Sequence, residues 1–522
     1  MGIPLTPLRF RRRAEQLYAN KTGVVCGDSR YTYREFADRC DRLARSLQAL
    51  SVETGTRVAF LAFNCHRLLE AYYGVVQAGA VLLPLNIRLS PAELALILND
   101  SGARVLFYDS DFRPVVEALR PGLKKVERFI CLDAPAADMW SSPRSYEELL
   151  EDAGSGPFEN PEPDENDVAE IFYTSGTTGD PKGVMLTHRN LYLHALSSII
   201  ALGIRDTDIQ LHAIPLFHVN GWGAPQSVTC MGGTHVMMRR FDPRQVFQLI
   251  QDEHVTYTSF VPTMVHALLN HPNISDFDFS SLRMILIGGA APSPEMVQQV
   301  ERRFGCPCYT GYGLTETSPI LTIATPKATV ENESADNRIR RQAKAGWPLI
   351  GVEIRVLDEK GGEIEHDGQQ VGEVLARSDG LMKGYWGKPP ESSGCDGWLR
   401  TGDLAAVDPE GFLQIVDRKK DIIVSGGENI SSMEIEQRLC AHDQVFECAV
   451  IAVPDPKWGE VPAAFVVLKD GSNINGSELL SFCRQTLAAY KCPRSIQFIP
   501  SLPKGGTGKI LKNELRKLIK SP

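Results

Sequence analysis

The chain has no C-x-x-C pair. Its twelve cysteines are scattered, and the nearest approach of two is Cys306-Pro307-Cys308. That excludes a zinc ribbon or a disulfide framework as the organising device and leaves reduced thiols in a cytoplasmic compartment as the expectation. No run of 18 apolar residues occurs, so no membrane-spanning helix is expected. The first residues lack the apolar stretch of a secretory signal. Positive charge is also short: 55 Lys and Arg stand against 64 Asp and Glu, for a net charge of −9. Bulk electrostatic binding of nucleic acid is therefore excluded, although a local basic pocket for phosphates is not. Internal repeats and low-complexity tracts are lacking as well.

What is present is the mixture of an ordinary globular protein, 43% hydrophobic and 23% charged over 522 residues. That length is enough for roughly three to four folding units. Short apolar runs alternate with helical patterns. Residues 58–61 read as a buried strand, 66–78 as a helix and 81–84 as a second strand. Residues 284–287 form a strand ending at Gly288-Gly289, and Ser293 caps a helix reaching about Phe304. This alternation predicts layered α/β subdomains with mostly parallel sheets, whose ligands gather at the carboxyl ends of strands. The basic run Arg9 and Arg11 to Arg13 reads as the solvated face of a first helix. Residues 154–167 are acidic and hold three prolines, as a linker or surface loop does. Beyond residues 417–421 lie about a hundred residues with strands at 445–453 and 463–468 and a helix over 477–490, a small α+β domain.

The first chemically informative segment is residues 173–183. A short apolar strand runs into Thr174, Ser175, Gly176, Thr177, Thr178 and Gly179, followed by Lys182. Glycines let backbone N–H groups approach phosphate oxygens, hydroxyls add donors, and Lys182 adds charge. Thr187 is placed to cap the next helix. No G-K-[ST] ending is present, so this is not the common P-loop, and residues 503–510 fail that pattern too. Gly311-Tyr312-Gly313 follows a strand expected at 308–310, but Glu316 stands where a dinucleotide fingerprint needs its third glycine. A carboxylate there suits a hard cation held against phosphates.

At this point the sequence resembles the adenylate-forming superfamily, which contains acyl-CoA synthetases, peptide-synthetase adenylation domains and luciferases. Five segments carry the resemblance in order: residues 173–183, 311–317, 397–403, 417–436 and 503–510. It covers essentially the whole chain. The resemblance implies an N-terminal adenylation domain over 1–417, a hinge over 418–421 centred on Lys420, and a mobile C-terminal domain over 422–522. It places ATP against residues 174–179, Lys182, Gly289, Ala290, Ala291, Gly311, Tyr312, Gly313 and Thr315, with the ribose held by Asp403 and Arg418. Glu316 takes Mg²⁺, and Lys509 is the catalytic lysine of adenylation. An ammonium there offsets the repulsion between an attacking carboxylate and the α-phosphate. Ser425, Gly426, Gly427 and Glu428 line the path of coenzyme A in the second half-reaction, with Ser431 and Glu434 spaced as a capping box.

Residues 215–223 resemble the family's acid-pocket segment. His218 would lie near the reacting carboxylate, with Thr174 also assigned a catalytic contact. Val219, Asn220, Trp222, Gly223, Thr263, Gly288, Gly289 and Gly313 would line the pocket. The segment holds no acidic residue, and a buried substrate ammonium left unpaired is costly, so amino acids are disfavoured. The pattern is closest to medium- and long-chain fatty-acyl-CoA synthetases, with Trp222 as gate. The expected reaction joins a carboxylic acid to ATP and passes the acyl group from acyl-AMP to coenzyme A. Alternatives are an aryl or short branched acid, and a carrier protein as acceptor. A homodimer is compatible with the resemblance, but no residue decides it.

Overall fold

The computed structural model describes residues 2–133, 145–154, 163–175, 181–330, 332–389, 397–505 and 510–520. Its framework is two large sheets joined by a shared helical layer. The nine-stranded sheet runs in the order Trp347–Pro348, Ile320–Ile323, Cys308–Gly313, Met284–Ile287, Tyr257–Phe260, Ile209–His212, Thr234–Met237, Thr22–Cys26, Ser29–Thr32. The seven-stranded sheet runs Gly384–Tyr385, Pro181–Thr187, Val168–Ser175, Val81–Pro84, Arg57–Leu61, Val105–Tyr108, Arg128–Cys131. Pairing is parallel at the centre of both; antiparallel strands close both ends of the nine-stranded sheet and the Gly384–Tyr385 end of the seven-stranded one, whose other end strand, Arg128–Cys131, is parallel. The mostly parallel α/β reading holds for these two sheets.

Helices Tyr33–Ala49 and His66–Gln77 lie between them. Phe36, Tyr72 and Tyr73 pack with Val24 of one sheet and with Phe60 and Phe172 of the other. Burying such side chains contributes about 1.5–3 kcal/mol each, so this layer fixes the two sheets relative to each other. The helix Tyr33–Ala49 starts at a reciprocal cap in which Thr32 accepts from Glu35 N and Glu35 reaches back to Thr32 N.

Two further units complete the molecule, one antiparallel and one mostly so. Val352–Leu357, Gly372–Ser378, Leu399–Val407 and Leu413–Arg418 form a four-stranded sheet. The C-terminal unit pairs Val445–Asp455 with Gly459–Leu468 across ten residue pairs and adds three shorter strands. Helices Ser432–Cys440 and Gly476–Arg484 cover its core.

Three expectations change. The basic run is only partly a solvated face: Arg12 is exposed, but Arg11 is buried, donating to Ala37 O at 2.7 Å and pairing with Asp41 at 2.8 Å. Arg13 donates to Cys230 O at 2.6 Å. The helix expected over 477–490 stops at Arg484, where Thr486 N turns to Cys483 O and Lys491 is drawn to Glu434. That ion pair also breaks the predicted capping box. Ser431 Oγ accepts from Glu434 N at 3.1 Å, but the Glu434 carboxylate does not reach back. Among the described residues, no helix is long and apolar enough to cross a membrane.

Candidate active site

The phosphate segment is a hairpin. Strands Val168–Ser175 and Pro181–Thr187 pair so that Thr174 faces Lys182. Residues 176–179 lie outside the described residues. Thr187 caps the following helix as expected, accepting from Asn190 N at 3.1 Å. The outer strand of the hairpin is covered by Gly384–Tyr385, which pairs with Met185 and Val184.

That covering strand brings in a residue that sequence reasoning missed. Tyr385 Oη donates to Glu316 Oε1 at 2.9 Å, and Lys182 Nζ lies 5.3 Å from the centre of the Tyr385 ring. Met382 N donates to Glu316 O at 2.9 Å. Glu316 is thereby tied at backbone and side chain to the neighbour of the phosphate hairpin. One signal was available: residues 384–386, Gly-Tyr-Trp, form a short aromatic strand after a turn. Nothing in its spacing pointed to Glu316.

The strand Cys308–Gly313 is longer than expected and carries Gly311, Tyr312 and Gly313 inside it. Glycine is required at 313, because a Cβ would sit 1.7 Å from Pro319 O. Tyr312 Oη donates to Asp403 Oδ2 at 2.7 Å. Arg418 Nε lies 3.3 Å from Asp403 Oδ1, and Asp403 and Arg418 face each other across the antiparallel pair. Asp403 is buried inside the strand Leu399–Val407, directly after Gly402 with φ +72°, and Asp403 N donates to Thr401 Oγ1. Three residues expected at adenine and ribose are thus in one contact group. Burial and the Asp403 charge push the Tyr312 hydroxyl well above its ordinary value, so it is a donor at any physiological pH. Thr315 is buried one residue before Glu316, in the short turn Thr315–Thr317.

The acid segment has an unusual backbone. Val219, Asn220, Gly221, Trp222 and Gly223 have φ of +28°, +43°, +52°, +63° and +80°. Holding non-glycine residues in this left-handed region costs about 1–3 kcal/mol each, so the surroundings must impose it. Two contacts do so. Asn220 Oδ1 accepts from Gly223 N at 2.6 Å. Gly223 lies so close to His194 that a Cβ would meet Cε1 at 2.7 Å. His194 Nε2 accepts from Ile320 N at 3.1 Å, and burial lowers it to about 3, so it stays neutral. His194 and Ile320 were not singled out in the sequence.

This backbone turns Trp222 onto the end of the strand Met284–Ile287. A Cβ on Gly288 would meet the indole Cη2 at 2.9 Å and Gly311 O at 3.1 Å, and one on Gly289 would lie 3.8 Å from Cζ2. Trp222 is only partly buried, yet it packs against three separate apolar clusters. Trp222, Gly288, Gly289 and Gly311 therefore converge. Thr263 is half-buried in the helix Pro262–Leu269, and His218 is half-buried at the N-cap of the helix Val219–Met231. Ala290 is exposed and Ala291 half-exposed beside them.

Beneath the segment lies a buried carboxyl. Glu170, four residues before Thr174 on the same strand, accepts from Gln226 Nε2 at 3.0 Å. Burial pushes Glu170 up to about 8, against the lowering effect of Asn220 and Gln226.

In the C-terminal unit, strands Ile423–Ser425 and Glu428–Ile430 are joined by Gly426 and Gly427, with φ +60° and +90°. Two positive φ values make the tight hairpin that only glycine supplies at low cost. Gly426 N donates to Trp458 O at 2.8 Å, and a Cβ on Gly426 would strike the Trp458 ring at 2.7 Å. Trp458 is a second support that the sequence did not reveal. Ser425, Gly426, Gly427 and Glu428 present a half-exposed to exposed edge, and Lys420 is exposed between the two units. Lys509 lies outside the described residues. Lys504 pairs with Glu447 at 2.6 Å.

Comparisons with known proteins identify the family and the fold. A family model described as AMP-binding enzyme matches residues 10–386, and one described as AMP-binding enzyme C-terminal domain matches residues 434–509. The chain is 36% identical to the peroxisomal butyrate–CoA ligase of Arabidopsis thaliana, covering 100% of this chain and 94% of that one. It is 38% identical to the long-chain-fatty-acid–CoA ligase of Thermus thermophilus, covering 98% and 95%. Among solved structures it superposes on an anthranilate CoA ligase in complex with anthranoyl-AMP with a TM-score of 0.90 at 27% identity, covering 99% and 98%. It superposes on o-succinylbenzoate coenzyme A synthetase from Bacillus subtilis, in complex with ATP and magnesium ion, with a TM-score of 0.83 at 32% identity, covering 97% and 99%.

Proposed function

We propose that this chain, which belongs to the AMP-binding enzyme family, is an acid–thiol ligase that activates a medium- to long-chain fatty acid as its acyl-AMP and transfers the acyl group to coenzyme A. The observation that carries the acid preference is the seat of Trp222. An indole held in a left-handed backbone packs over Gly288 and Gly289, at the end of the strand Met284–Ile287. No acidic side chain stands in residues 215–223 to receive an amino group.

In the first step the acid's carboxylate oxygen attacks the α-phosphorus of ATP, and pyrophosphate leaves. The Thr174–Lys182 end of the hairpin meets phosphate oxygens with a hydroxyl and a charge. Tyr312, Asp403 and Arg418 hold the nucleoside. Glu316 offers a hard carboxylate donor, held in place by Tyr385, that fits Mg²⁺. When bound there, the ion would supply charge neutralisation at the phosphates. Lys509 is assigned the same task at the α-phosphate. In the second step the thiol of coenzyme A attacks the acyl carbonyl and AMP leaves, with the Gly426-Gly427 hairpin lining the thiol's approach. The division at residues 418–421 supplies the rotation that exchanges Lys509 for this hairpin.

An aryl acid is the second reading. An indole packed on Gly288 would shorten an acid site placed there, which suits a flat ring as well as a chain end. The deciding experiment incubates the protein with ATP, Mg²⁺ and linear, branched and aromatic acids, with and without coenzyme A. Acyl-AMP, AMP and acyl-CoA are quantified by mass. Acyl-CoA peaking on one linear length supports the proposal, and a peak on an aromatic acid replaces it with the second reading. Acyl-AMP that accumulates regardless of coenzyme A would mean another acceptor.

A further inference from the structure

Cys440 and Cys448 are eight residues apart in the C-terminal unit, and their sulfurs lie 3.3 Å from each other. Cys440 is the last residue of the helix Ser432–Cys440, and Cys448 lies near the start of the strand Val445–Asp455. Between them the chain turns back, with His442 N donating to Leu439 O and Val445 N to His442 O. Both cysteines belong to the apolar cluster of Ile435, Leu439, Val445 and Val450, which packs the helix on the strand. Cys440 is half-buried and Cys448 is buried.

Separate contacts hold the helix and the strand in this register. Cys448 Sγ donates to Glu436 O, one turn before Cys440, at 3.4 Å. A thiol has one hydrogen, so Cys448 gives its own to that carbonyl and accepts the one from Cys440. Val450 N donates to Glu436 Oε1 at 2.8 Å, and Lys512 Nζ pairs with the same oxygen at 2.8 Å. The sulfurs therefore meet because the two elements are fixed around them. A disulfide brings its sulfurs to about 2.05 Å, so from 3.3 Å this pair must close by about 1.2 Å. A modest turn of two side chains supplies that distance.

The two thiols differ in access, and this assigns their roles. Cys440 is the one that a reagent in solution can reach. The hydrogen bond with Cys440 and burial push the Cys448 thiol well above its ordinary value, so Cys448 keeps its proton while its neighbour is free. The first of these causes ends once the Cys440 sulfur is capped. None of these residues belongs to the acid or nucleotide cleft.

We propose that Cys440 and Cys448 are a redox-active dithiol that closes to a reversible disulfide on meeting a low-molecular-weight disulfide. The Cys440 sulfur, as thiolate, attacks one sulfur of that molecule. A mixed disulfide forms, the reagent's own S–S bond breaks, and one thiolate departs and takes up the proton that Cys440 gave. The Cys448 sulfur then attacks the Cys440 sulfur, and the second thiolate departs with the proton from Cys448. Two protein thiols are oxidised to one disulfide, and the small disulfide, the oxidant, is reduced to two thiols. The closed pair staples the end of the helix Ser432–Cys440 to the strand Val445–Asp455.

The test incubates the full chain with oxidised glutathione at about pH 8, where thiolates are populated. The reaction is stopped with acid, remaining thiols are labelled with iodoacetamide in denaturant, and the chain is cut with trypsin. Residues 439–457 hold both cysteines and no internal Arg or Lys, so both fall in one peptide. That peptide is expected to take no label and to be lighter by its two thiol hydrogens, and an excess of reduced glutathione should restore both labels. Cys448→Ser removes the second attack, so its Cys440 should hold at least about tenfold more glutathione than the wild type does. The wild-type peptide decides the matter even if Cys448→Ser does not fold. A wild-type peptide that keeps both labels would overturn the proposal. So would a lasting glutathione adduct on Cys440, or a closed pair that reduced glutathione does not reopen.

Discussion

The Asp417 carboxylate caps the helix that begins at Ser432. Asp417 Oδ2 accepts from Ser432 N and from Ser432 Oγ, both at 2.6 Å, and Met433 N approaches to 3.4 Å. Lys512 Nζ closes the group, donating to Ser432 Oγ at 2.6 Å and pairing with Glu436 at 2.8 Å. Asp417 is the penultimate residue of the strand Leu413–Arg418, and Ser432 opens the helix Ser432–Cys440 of the small unit. The bond therefore spans the expected hinge.

Asp417→Ala leaves a buried Ser432 N–H and hydroxyl without their acceptor, and is expected to cost about 1–3 kcal/mol. The urea midpoint should fall, and trypsin should cut faster after Arg418, Lys419 or Lys420. Asp417→Asn, which keeps one acceptor oxygen, should lose less. Equal midpoints and cleavage rates for wild type and Asp417→Ala would remove this residue as a tie between the units.

Tyr385→Phe removes one hydrogen bond from Glu316 and keeps the ring under Lys182. If Glu316 holds the magnesium ion, a less oriented carboxylate binds it more weakly. The concentration of Mg²⁺ giving half-maximal acyl-AMP formation should rise about three- to tenfold, at a cost of roughly 1 kcal/mol. Acyl transfer from supplied acyl-AMP should be unchanged. A wild-type Mg²⁺ dependence would show that Tyr385 is packing alone.

The strands at 58–61, 81–84 and 284–287 and the caps at Thr187 and Ser293 were legible because each is local: an apolar run, or a hydroxyl three residues from its donor. The glycines and carboxylates of the five segments were singled out instead by the resemblance of those segments to the family. What escaped was contact between distant segments. Tyr385 meets Glu316 across 69 residues, and His194 meets Ile320 across 126. Trp458 comes under Gly426 from another hairpin. Arg11 read as solvated because nothing in its neighbourhood of sequence announces Ala37 or Asp41. The left-handed run at 219–223 was invisible for a different reason: only two of its five residues are glycine.

Gly288→Ala tests whether the acid lies where Trp222 now packs. The new methyl would stand 2.9 Å from the indole and 3.1 Å from the Gly311 carbonyl. The indole can turn, but the backbone carbonyl cannot yield. Bulky acids should lose at least about tenfold in kcat/KM, equivalent to about 1.4 kcal/mol, while the shortest accepted acid changes little. Trp222→Ala should act in the opposite sense and admit longer or wider acids. Uniform loss over all acids in the first variant would instead indicate a nucleotide-site defect.

Lys509→Ala separates the two half-reactions. Acyl-AMP formation should fall about 10²–10³-fold, as for other charge-stabilising donors. Thioester formation from supplied acyl-AMP and coenzyme A should remain near wild type. Equal loss in both steps would mean that the lysine is not exchanged for the Gly426-Gly427 hairpin.

Glu170 gives a pH dependence of known sign. Burial holds its carboxyl at about 8 in the folded chain, whereas an unfolded glutamate titrates at about 4.3. The folded state thus binds the proton more tightly than the unfolded state. The stabilisation is complete below the unfolded value and is lost as pH rises through the folded one. Glu170→Gln stays neutral at every pH and can still accept from Gln226 through its Oε1. The urea midpoint of the wild type should therefore fall more steeply between pH 5 and 9 than that of Glu170→Gln, and the variant should be the more stable of the two above pH 8. The acid segment above Glu170 would feel the same charge. Acyl-AMP formation by the wild type should decline above about pH 8 in a way the variant does not share. Parallel stability curves for the two proteins would mean that Glu170 is already ionised at neutral pH, with its charge met by the Asn220 and Gln226 amides.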